Sequence, residues 1–454
     1  MHLGLKRCGI LVSAGLLLAA IVGVSPPACA WEHEPFSVFH ERRARLVRDL
    51  GGDGVVVLFG YRDADVAASV TSFRQNEEFY YLTGWNEPDG ILLLVPKPHH
   101  SGVAAEIEKE ILYIPAHDPT GERWTGPKLG AGDADAPTRT GFDAVRNTAL
   151  FPSDLQGALK SSSRIYTELT PQPESGEDYF QAEMIGKMRE MAPLATISDL
   201  RIAMQRLRSV KTPGEIALIR KAAEASVDAH LAAIRTVRPG AWEYEIAALM
   251  KYEFEKRGCE WPSYPPIVGS GFFSTVLHYD QDTNQMQSGD LVVMDVAGSY
   301  GGYTSDITRT LPVNGRFTPR QREIYEIVLG AQNAALAAAK PGMYIGKRGP
   351  KGLYDIAYDY MNSHGKDLHG QPLGQYFIHG LSHPIGLNVH DPLDYNQALE
   401  PGMVITIEPG IYLPEEKIGV RIEDDILITK DGNELLTRRL PRRAEDIEKL
   451  MSGK

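Results

Sequence analysis

The spacing of hydrophobic and polar residues along this chain predicts an α/β protein. Residues 35–50 show the spacing of an amphipathic helix, and the apolar runs at 54–60 and 90–96 predict buried strands. Segments rich in Gly, Pro and Asp, such as 117–139, predict loops between further elements. We interpret residues 31–200 as an N-terminal α/β domain without a catalytic cluster, which covers or shapes a site formed elsewhere in the chain.

Residues 201–454 begin with a strong helix signal and contain an internal repeat. Thr212 and Glu215 fit a capping box, after which apolar residues recur at spacings of three and four. Thr318 and Gln321 start a second helix in the same way. After each helix come a histidine, a strand-like run ending in an acid, and a second acid: His278, Asp295 and Asp306, then His390, Glu408 and Glu423.

This repeat predicts a duplicated unit with approximate two-fold symmetry, whose halves supply ligands to one central site. A chance similarity of two helix–strand units is the alternative, and the ordered histidine–acid–acid pattern disfavours it. The fold class that we expect is therefore an α/β N-terminal domain followed by an α+β domain with an internal pseudo-two-fold repeat.

The four acids have spacings that suit metal binding. Asp295 and Asp306 are an odd number of residues apart, so they can face each other across an antiparallel hairpin that turns near 299–302. Glu408 and Glu423 can do the same around 414–417. Opposed carboxylates repel each other, and burying four of them without counter-charges is costly. We therefore predict two divalent ions, roughly 3.5–4 Å apart, that these carboxylates share.

A histidine completes the predicted ligand set. His379 and His383 are four residues apart, but Gly380 and Pro384 argue against a helical zinc motif. We expect a loop or strand that offers His383 to metal and His379 to substrate. An oxygen-rich set with one imidazole suits Mn²⁺, and Co²⁺ or Zn²⁺ also fit.

The first thirty residues predict export. Lys6 and Arg7 precede an apolar run at 10–24, and small residues at 28–30 resemble a cleavage site, so we expect residues 1–30 to be a signal peptide and the protein to be periplasmic or secreted. An uncleaved N-terminal anchor or a lipid on Cys29 is the alternative. No later stretch is apolar enough for a membrane span. The formal net charge of −12, without basic runs, argues against nucleic-acid binding.

Several segments resemble those of a known enzyme family. GDLVVMDVAG, HGLSHPIGLNVHD, ITIEPGIY and GVRIEDDILIT are similar to signature segments of the pita-bread metallopeptidases, and within them of the bacterial aminopeptidase P (Xaa-Pro aminopeptidase) family. FYYLTGWNEPDGILLLVP and ERWTGPKLG resemble the creatinase-type N-terminal domain of that family. The resemblance covers nearly the whole chain beyond the predicted signal peptide.

The resemblance implies a role for each site residue. Asp306 and Glu423 would bridge two metals, Asp295 would complete one of them, and His383 with Glu408 would complete the other. The remaining residues with implied roles are the catalytic His278, His379 and His390, the proton-shuttling Glu408, and the substrate-binding His379, Tyr412 and Arg421. A hydroxide held between the metals would attack the bond before a penultimate proline, and the chain would form a homodimer or homotetramer.

Two other functions fit the same residues. A prolidase, which cleaves only X–Pro dipeptides, shares all five ligands, and comparing an X–Pro dipeptide with an X–Pro–Pro tripeptide would separate it from an aminopeptidase. A catalytically dead peptide-binding module is the alternative from a different class, and it would bind no divalent ion and stay inert when supplied with one.

Overall fold

The computed structural model of this chain describes residues 32–62, 73–98, 103–169 and 176–453. The predicted signal peptide lies outside these residues. Within these ranges, no helix has both the length and the apolar composition that crossing a bilayer requires.

The N-terminal part is built on a six-stranded mixed sheet with the order β4-β3-β2-β1-β5-β6. Its strands are β1 (Val55–Phe59), β2 (Ile91–Pro96), β3 (Ile107–Ile114), β4 (Ala144–Asn147), β5 (Arg164–Thr167) and β6 (Thr196–Asp199). Its helices are α1 (Phe36–Asp49), α2 (Glu77–Thr83), α3 (Glu122–Thr125), α4 (Ala136–Thr140), α5 (Phe151–Ala158), α6 (Gly176–Met191) and α7 (Arg201–Ser209). The predicted helix at 35–50 is α1, and the two predicted strands are the paired central strands β1 and β2.

Both faces of this sheet are buried, which explains the continuous apolar runs. Val55 and Val57 of β1 pack on one face with Phe151 of α5. Val56 and Leu58 pack on the other face, in a cluster that also contains residues of the C-terminal part, such as Leu218, Ile219 and Val404. The boundary near residue 200 stays a prediction, because α7 adds Ala203, Met204 and Leu207 to this shared cluster.

The C-terminal part combines long helices with small antiparallel sheets. Its helices are α8 (Pro213–Thr236), α9 (Glu243–Glu255), α10 (Pro319–Ala338), α11 (Leu353–Ser363) and α12 (Ala444–Ser452). Its strands are β7 (Trp261–Pro262), β8 (Ile267–Ser270), β9 (Leu291–Asp295), β10 (Gly298–Ser299), β11 (Thr308–Pro312), β12 (Val404–Ile407), β13 (Gly410–Leu413), β14 (Ile418–Arg421), β15 (Asp424–Ile428) and β16 (Asn433–Leu435). One short 3-10 helix lies in the N-terminal part, at Thr148–Leu150. Three lie in the C-terminal part, at Gly271–Thr275, Leu373–Tyr376 and Pro414–Glu416.

The internal repeat is visible in how these elements begin. The hydroxyls of Thr212 and Thr318 accept from the backbone N–H of Glu215 (3.3 Å) and Gln321 (3.2 Å), so α8 and α10 both start in the predicted capping boxes. Each long helix packs against a second helix, α9 or α11, and each half then contributes a three-stranded sheet, β11-β9-β8 or β12-β15-β16. The two sheets bring the predicted metal ligands together.

Candidate metal centre and active site

The second hairpin has the predicted register. Ile407 pairs with Asp424, so Glu408 and Glu423 occupy the next position of this register, one directly after β12 and one directly before β15. Strands β13 and β14 continue the same register, and the chain reverses at Pro414–Glu416. The odd spacing of these two glutamates thus reflects direct opposition across the hairpin.

The first hairpin differs from the prediction by two residues. Asp295 pairs with Thr308 rather than with Asp306. The turn is formed by Gly301 and Gly302, whose φ angles of 58° and 82° suit a two-residue turn that few other residues adopt. Because the slip is an even number of residues, Asp306 stays on the same face as Asp295 but lies diagonally from it rather than opposite.

Three of the predicted ligands converge closely. One potential ligand atom each from Asp306, His383 and Glu423 lies within 4.8 Å of the others. The Nε2 atom of His383 lies 3.4 Å from Oδ2 of Asp306 and 3.5 Å from Oε1 of Glu408, which adds a fourth ligand to the group. The segment that carries His383 is extended, not helical, and its backbone carbonyl accepts from Thr406 of β12 (2.9 Å).

Asp295, the fifth predicted ligand, joins the group through Tyr264. The Tyr264 hydroxyl lies 2.6 Å from Oδ1 of both Asp295 and Asp306, and it has one proton to donate to them. Arg421 donates to the other oxygen of Asp295 (2.7 Å), and Thr308 donates to Oε2 of Glu423 (2.7 Å). The structure therefore gathers all five predicted ligands, and their individual metal roles stay predictions.

The backbone at two of these ligands is fixed by buried polar groups. Arg309 donates to the carbonyl of Glu423 (2.7 Å) and to Oδ1 of Asp424 (2.7 Å), and this ion pair is fully buried. Asp425 accepts from the backbone N–H of Asp306 (3.3 Å). Such supporting contacts orient ligands and limit how far they can separate when like charges repel.

The pKa shifts of the site residues indicate that positive charge stabilises this site. Burial and neighbouring acids raise the pKa values of Asp306 and Glu423 above their usual range, and burial raises the pKa of Glu408 to about 7 despite the nearby His383. Burial opposes protonation of His383, but Asp306 and Glu408 outweigh it and raise its pKa to about 9. In the absence of metal, bound protons reduce the negative charge of the site, as divalent ions would. The donor set therefore fits metal binding.

A cavity of about 690 Å³ opens above these ligands. Its lining includes the three predicted catalytic histidines, His278, His379 and His390, together with Arg421, all five ligands and the apolar Ile267, Leu277, Leu381 and Val389. His390 packs edge-on against His383, with ring centroids 4.4 Å apart. The structure thus brings every predicted histidine to one cavity with the metal ligands.

His379 is linked to the other two predicted substrate-binding residues, directly to Tyr412 and through Tyr412 to Arg421. Its Nε2 lies 2.8 Å from the Tyr412 hydroxyl, to which Arg421 also donates (2.9 Å). Its Nδ1 lies 3.4 Å from Oε2 of Glu408. Burial and the charge of Arg421 lower the pKa of His379 to about 3, so this imidazole is neutral at physiological pH. Burial and the charge of His383 lower the pKa of His390 to about 4.

The N-terminal part is tied to the loop that carries His390. Asp391, the next residue, is buried between Arg208 of α7 (2.6 Å) and Lys211 of the segment that follows α7 (3.1 Å). Arg208 also pairs with Glu77 of α2 (2.9 Å). This charge network explains how a domain without catalytic residues can fix the position of an active-site loop.

Tyr264 is not indicated by any pattern in the sequence, and we predict a measurable effect of its hydroxyl on metal binding. Tyr264→Phe keeps the ring but leaves Asp295 and Asp306 without the shared donor that holds them together. We expect divalent-ion affinity to fall by about 10- to 100-fold with little change in melting temperature. Metal titration with a competing chelator measures this, and Tyr279→Phe, which removes a hydroxyl bonded to Thr283, is the matched control. An unchanged divalent-ion affinity in Tyr264→Phe would show that the Tyr264 hydroxyl does not position Asp295 and Asp306 for metal binding.

Comparisons with known proteins agree with this geometry. Residues 217–430 match the model of metallopeptidase family M24, and residues 39–166 match the model of the aminopeptidase P N-terminal domain. Along 449 residues the chain is 36% identical to the Xaa-Pro aminopeptidase of Escherichia coli K12, covering 91% of this chain and 97% of that protein. The chain therefore belongs to metallopeptidase family M24.

Within that family, Xaa-Pro aminopeptidases are similar to this chain over nearly its full length. The structure of aminopeptidase P from E. coli with the inhibitor Pro-Leu superposes with a TM-score of 0.79 at 33% identity and covers 93% of this chain and 99% of that chain. The Xaa-Pro dipeptidase of Pyrococcus furiosus is 40% identical over 259 residues, but these cover only 56% of this chain and 70% of that protein. The fold is thus a creatinase-type N-terminal domain followed by a pita-bread catalytic domain, as the resemblance implied.

Proposed function

We propose that this chain is an Xaa-Pro aminopeptidase, a metal-dependent exopeptidase that removes the N-terminal residue from peptides with proline in second position. The observation that carries the proposal is the convergence of Asp306, His383 and Glu423 in the lining of a cavity that also contains three further histidines. The proposal is also supported by the similarity of nearly the whole chain to an Xaa-Pro aminopeptidase.

The five ligands would hold two divalent ions. Asp306 and Glu423 lie centrally and would bridge them, Asp295 would complete one ion, and His383 with Glu408 would complete the other. We propose Mn²⁺ as the native metal, because four of the five donors are carboxylates. Bound divalent ions supply Lewis acidity and an activated water at neutral pH.

The side chains around the ligands would position the peptide. The free amino group of the substrate would approach a metal or an acidic residue of this centre, which limits cleavage to the first bond. Neutral His379, held by Tyr412, would contact the proline, whose fixed φ and missing N–H favour a rigid, shape-selective pocket. Glu408 lies between His383 and His379 and would carry the proton to the leaving proline nitrogen, while His390 would stabilise the carbonyl oxygen.

A substrate panel tests the proposal. We expect the metal-loaded protein to release alanine from Ala-Pro-Ala and to leave Ala-Ala-Ala essentially uncut, with products identified by mass spectrometry. The dipeptide Ala-Pro included in the same panel addresses the prolidase alternative, which is less supported because the similarity to the dipeptidase covers a smaller part of both chains. Exclusive cleavage of the dipeptide, or equal cleavage of both tripeptides, would contradict the proposal.

Location and assembly belong to the same proposal. The N-terminal pattern of Lys6, Arg7, the apolar run at 10–24 and the small residues at 28–30 supports a cleaved signal and export to the periplasm or medium. We propose a homodimer or homotetramer for the exported enzyme. N-terminal sequencing of the exported protein and its mass in solution measure the two properties.

A further inference from the structure

Two basic residues lie where the catalytic cavity meets solvent. Lys347 and Arg348 belong to its lining, and both are exposed. They lie on the segment between α10 and α11, so they are separate in sequence from every residue that the predicted mechanism uses. The rest of the charged lining is dominated by the carboxylates of the metal site.

Neither basic side chain has an acidic partner in the part of the chain that the structure describes. The ion pairs at this cavity involve His379, His383 and Arg421. Lys347 donates instead to the backbone carbonyl of His379 (2.6 Å). The guanidinium of Arg348 lies 5.6 Å from the centre of the Tyr395 ring, another residue of the lining. Two adjacent cations without a counter-ion are electrostatically unfavourable, and an anionic ligand would relieve that cost.

The backbone holds this basic pair in an uncommon conformation. Lys347 has a φ of 57°, which costs free energy for a residue with a Cβ atom. Gly349 approaches Tyr395 so closely that an added Cβ would lie 2.3 Å from the Tyr395 carbonyl oxygen. The segment is therefore positioned against the cavity wall by specific contacts, and strain of this kind concentrates at ligand-binding sites.

The position of Arg348 relative to the reacting centre is defined by its neighbours. Arg348 lines the same cavity as His390 and Tyr395, and its guanidinium faces the Tyr395 ring. A substrate whose free amino group lies at the metal centre must direct its remaining residues toward the opening. The carboxylate of a short peptide, or an acidic side chain just after the proline, would then face Arg348.

We propose that Arg348, with Lys347 beside it, forms a subsite for a substrate carboxylate located downstream of the proline. This inference rests on the proposed peptidase function and refines it, since it makes the enzyme favour short peptides with a free C-terminus or peptides with an acidic residue after proline. Arg348 acts on binding rather than on the bond that breaks, so its contribution is expressed in KM.

Matched peptide pairs test the subsite. If the subsite binds an α-carboxylate, we expect the wild-type enzyme to cleave Ala-Pro-Ala with roughly fivefold higher kcat/KM than Ala-Pro-Ala-NH₂. If it binds an acidic side chain, we expect a similar preference for Ala-Pro-Glu-NH₂ over Ala-Pro-Gln-NH₂. In both cases the difference should lie chiefly in KM. The first pair reports an α-carboxylate, and the second reports an acidic side chain. In Arg348→Gln the favoured ratio falls to about one, and added salt lowers it in the wild type.

Lys351→Gln is the control, because Lys351 is exposed on the same segment but is not part of the cavity lining. This variant keeps the wild-type ratios and metal content. Ratios near one for both pairs in the wild type, or a ratio that persists in Arg348→Gln, would overturn the subsite while leaving the peptidase function intact. Failure to cleave any of the four peptides would reject both.

Discussion

Asp306→Asn is expected to lower kcat/KM on Ala-Pro-Ala by at least about a thousandfold and to abolish stable binding of two divalent ions. Asp306 is the central carboxylate, with His383 3.4 Å from one oxygen and the Tyr264 hydroxyl 2.6 Å from the other. Asparagine keeps the shape but removes the charge that a bridging ligand must supply. A thousandfold loss corresponds to about 4 kcal/mol of transition-state stabilisation, a magnitude typical of metal catalysis.

The same substitution should not weaken the fold. In the metal-free protein, Asp306 repels its neighbouring acids, so Asp306→Asn should melt at a temperature equal to or above that of the metal-free wild type. Asp359→Asn, at an exposed position on α11, serves as the control for losing one carboxylate. Full activity with two bound ions in Asp306→Asn, measured by elemental analysis, would show that the metal site is assigned wrongly.

Metal removal is expected to make stability strongly dependent on pH. The pKa of Glu408 is raised from 4.5 to about 7, and that of His383 from 6.5 to about 9. Groups with raised pKa values bind protons more tightly in the folded state, so they stabilise it fully at low pH and lose that contribution as pH rises through the folded-state pKa. Below about pH 7, His379 and His390 act in the opposite direction, because their lowered pKa values mean that the unfolded chain binds their protons more tightly. The metal-free protein should therefore lose about 3 kcal/mol of stability between roughly pH 7 and pH 9.

Thermal melts across this pH range check the prediction. With Mn²⁺ bound, divalent charge replaces the protons, so the melting temperature should vary little over the same window and metal affinity should rise with pH. An exposed glutamate on α8, Glu224, replaced by Gln, should leave the slope of the metal-free protein unchanged. A metal-free melting temperature that is flat or rises between pH 7 and pH 9 would contradict the electrostatic account.

The sequence was sufficient to predict that the five candidate ligands come together, because they are marked by local pattern. Asp295 ends the apolar strand β9, and Glu408 directly follows the apolar strand β12. Burying an acid at such a position costs free energy unless a cation or hydrogen bonds compensate its charge. The capping boxes of α8 and α10 made the repeat visible, and the repeat linked acids that are far apart in sequence.

The details that the sequence analysis missed depend on tertiary structure. The register of the first hairpin depends on whether the turn centres on Gly301 and Gly302 or one residue earlier, and both placements leave a plausible run of turn residues. Tyr264 lies in a loop with no periodic pattern, so nothing local relates its hydroxyl to Asp295. Lys347 and Arg348 are ordinary surface residues in sequence, and only the folded loop places them at the cavity.

Titration of the metal-stripped protein with Mn²⁺, followed by alanine release from Ala-Pro-Ala, tests the central claim most directly. The stripped protein should be inactive, and activity should return to its maximum as two ions bind per chain, a stoichiometry that the five-ligand set predicts. Undiminished cleavage by the fully stripped protein, or no cleavage at any Mn²⁺, Co²⁺ or Zn²⁺ occupancy, would contradict it.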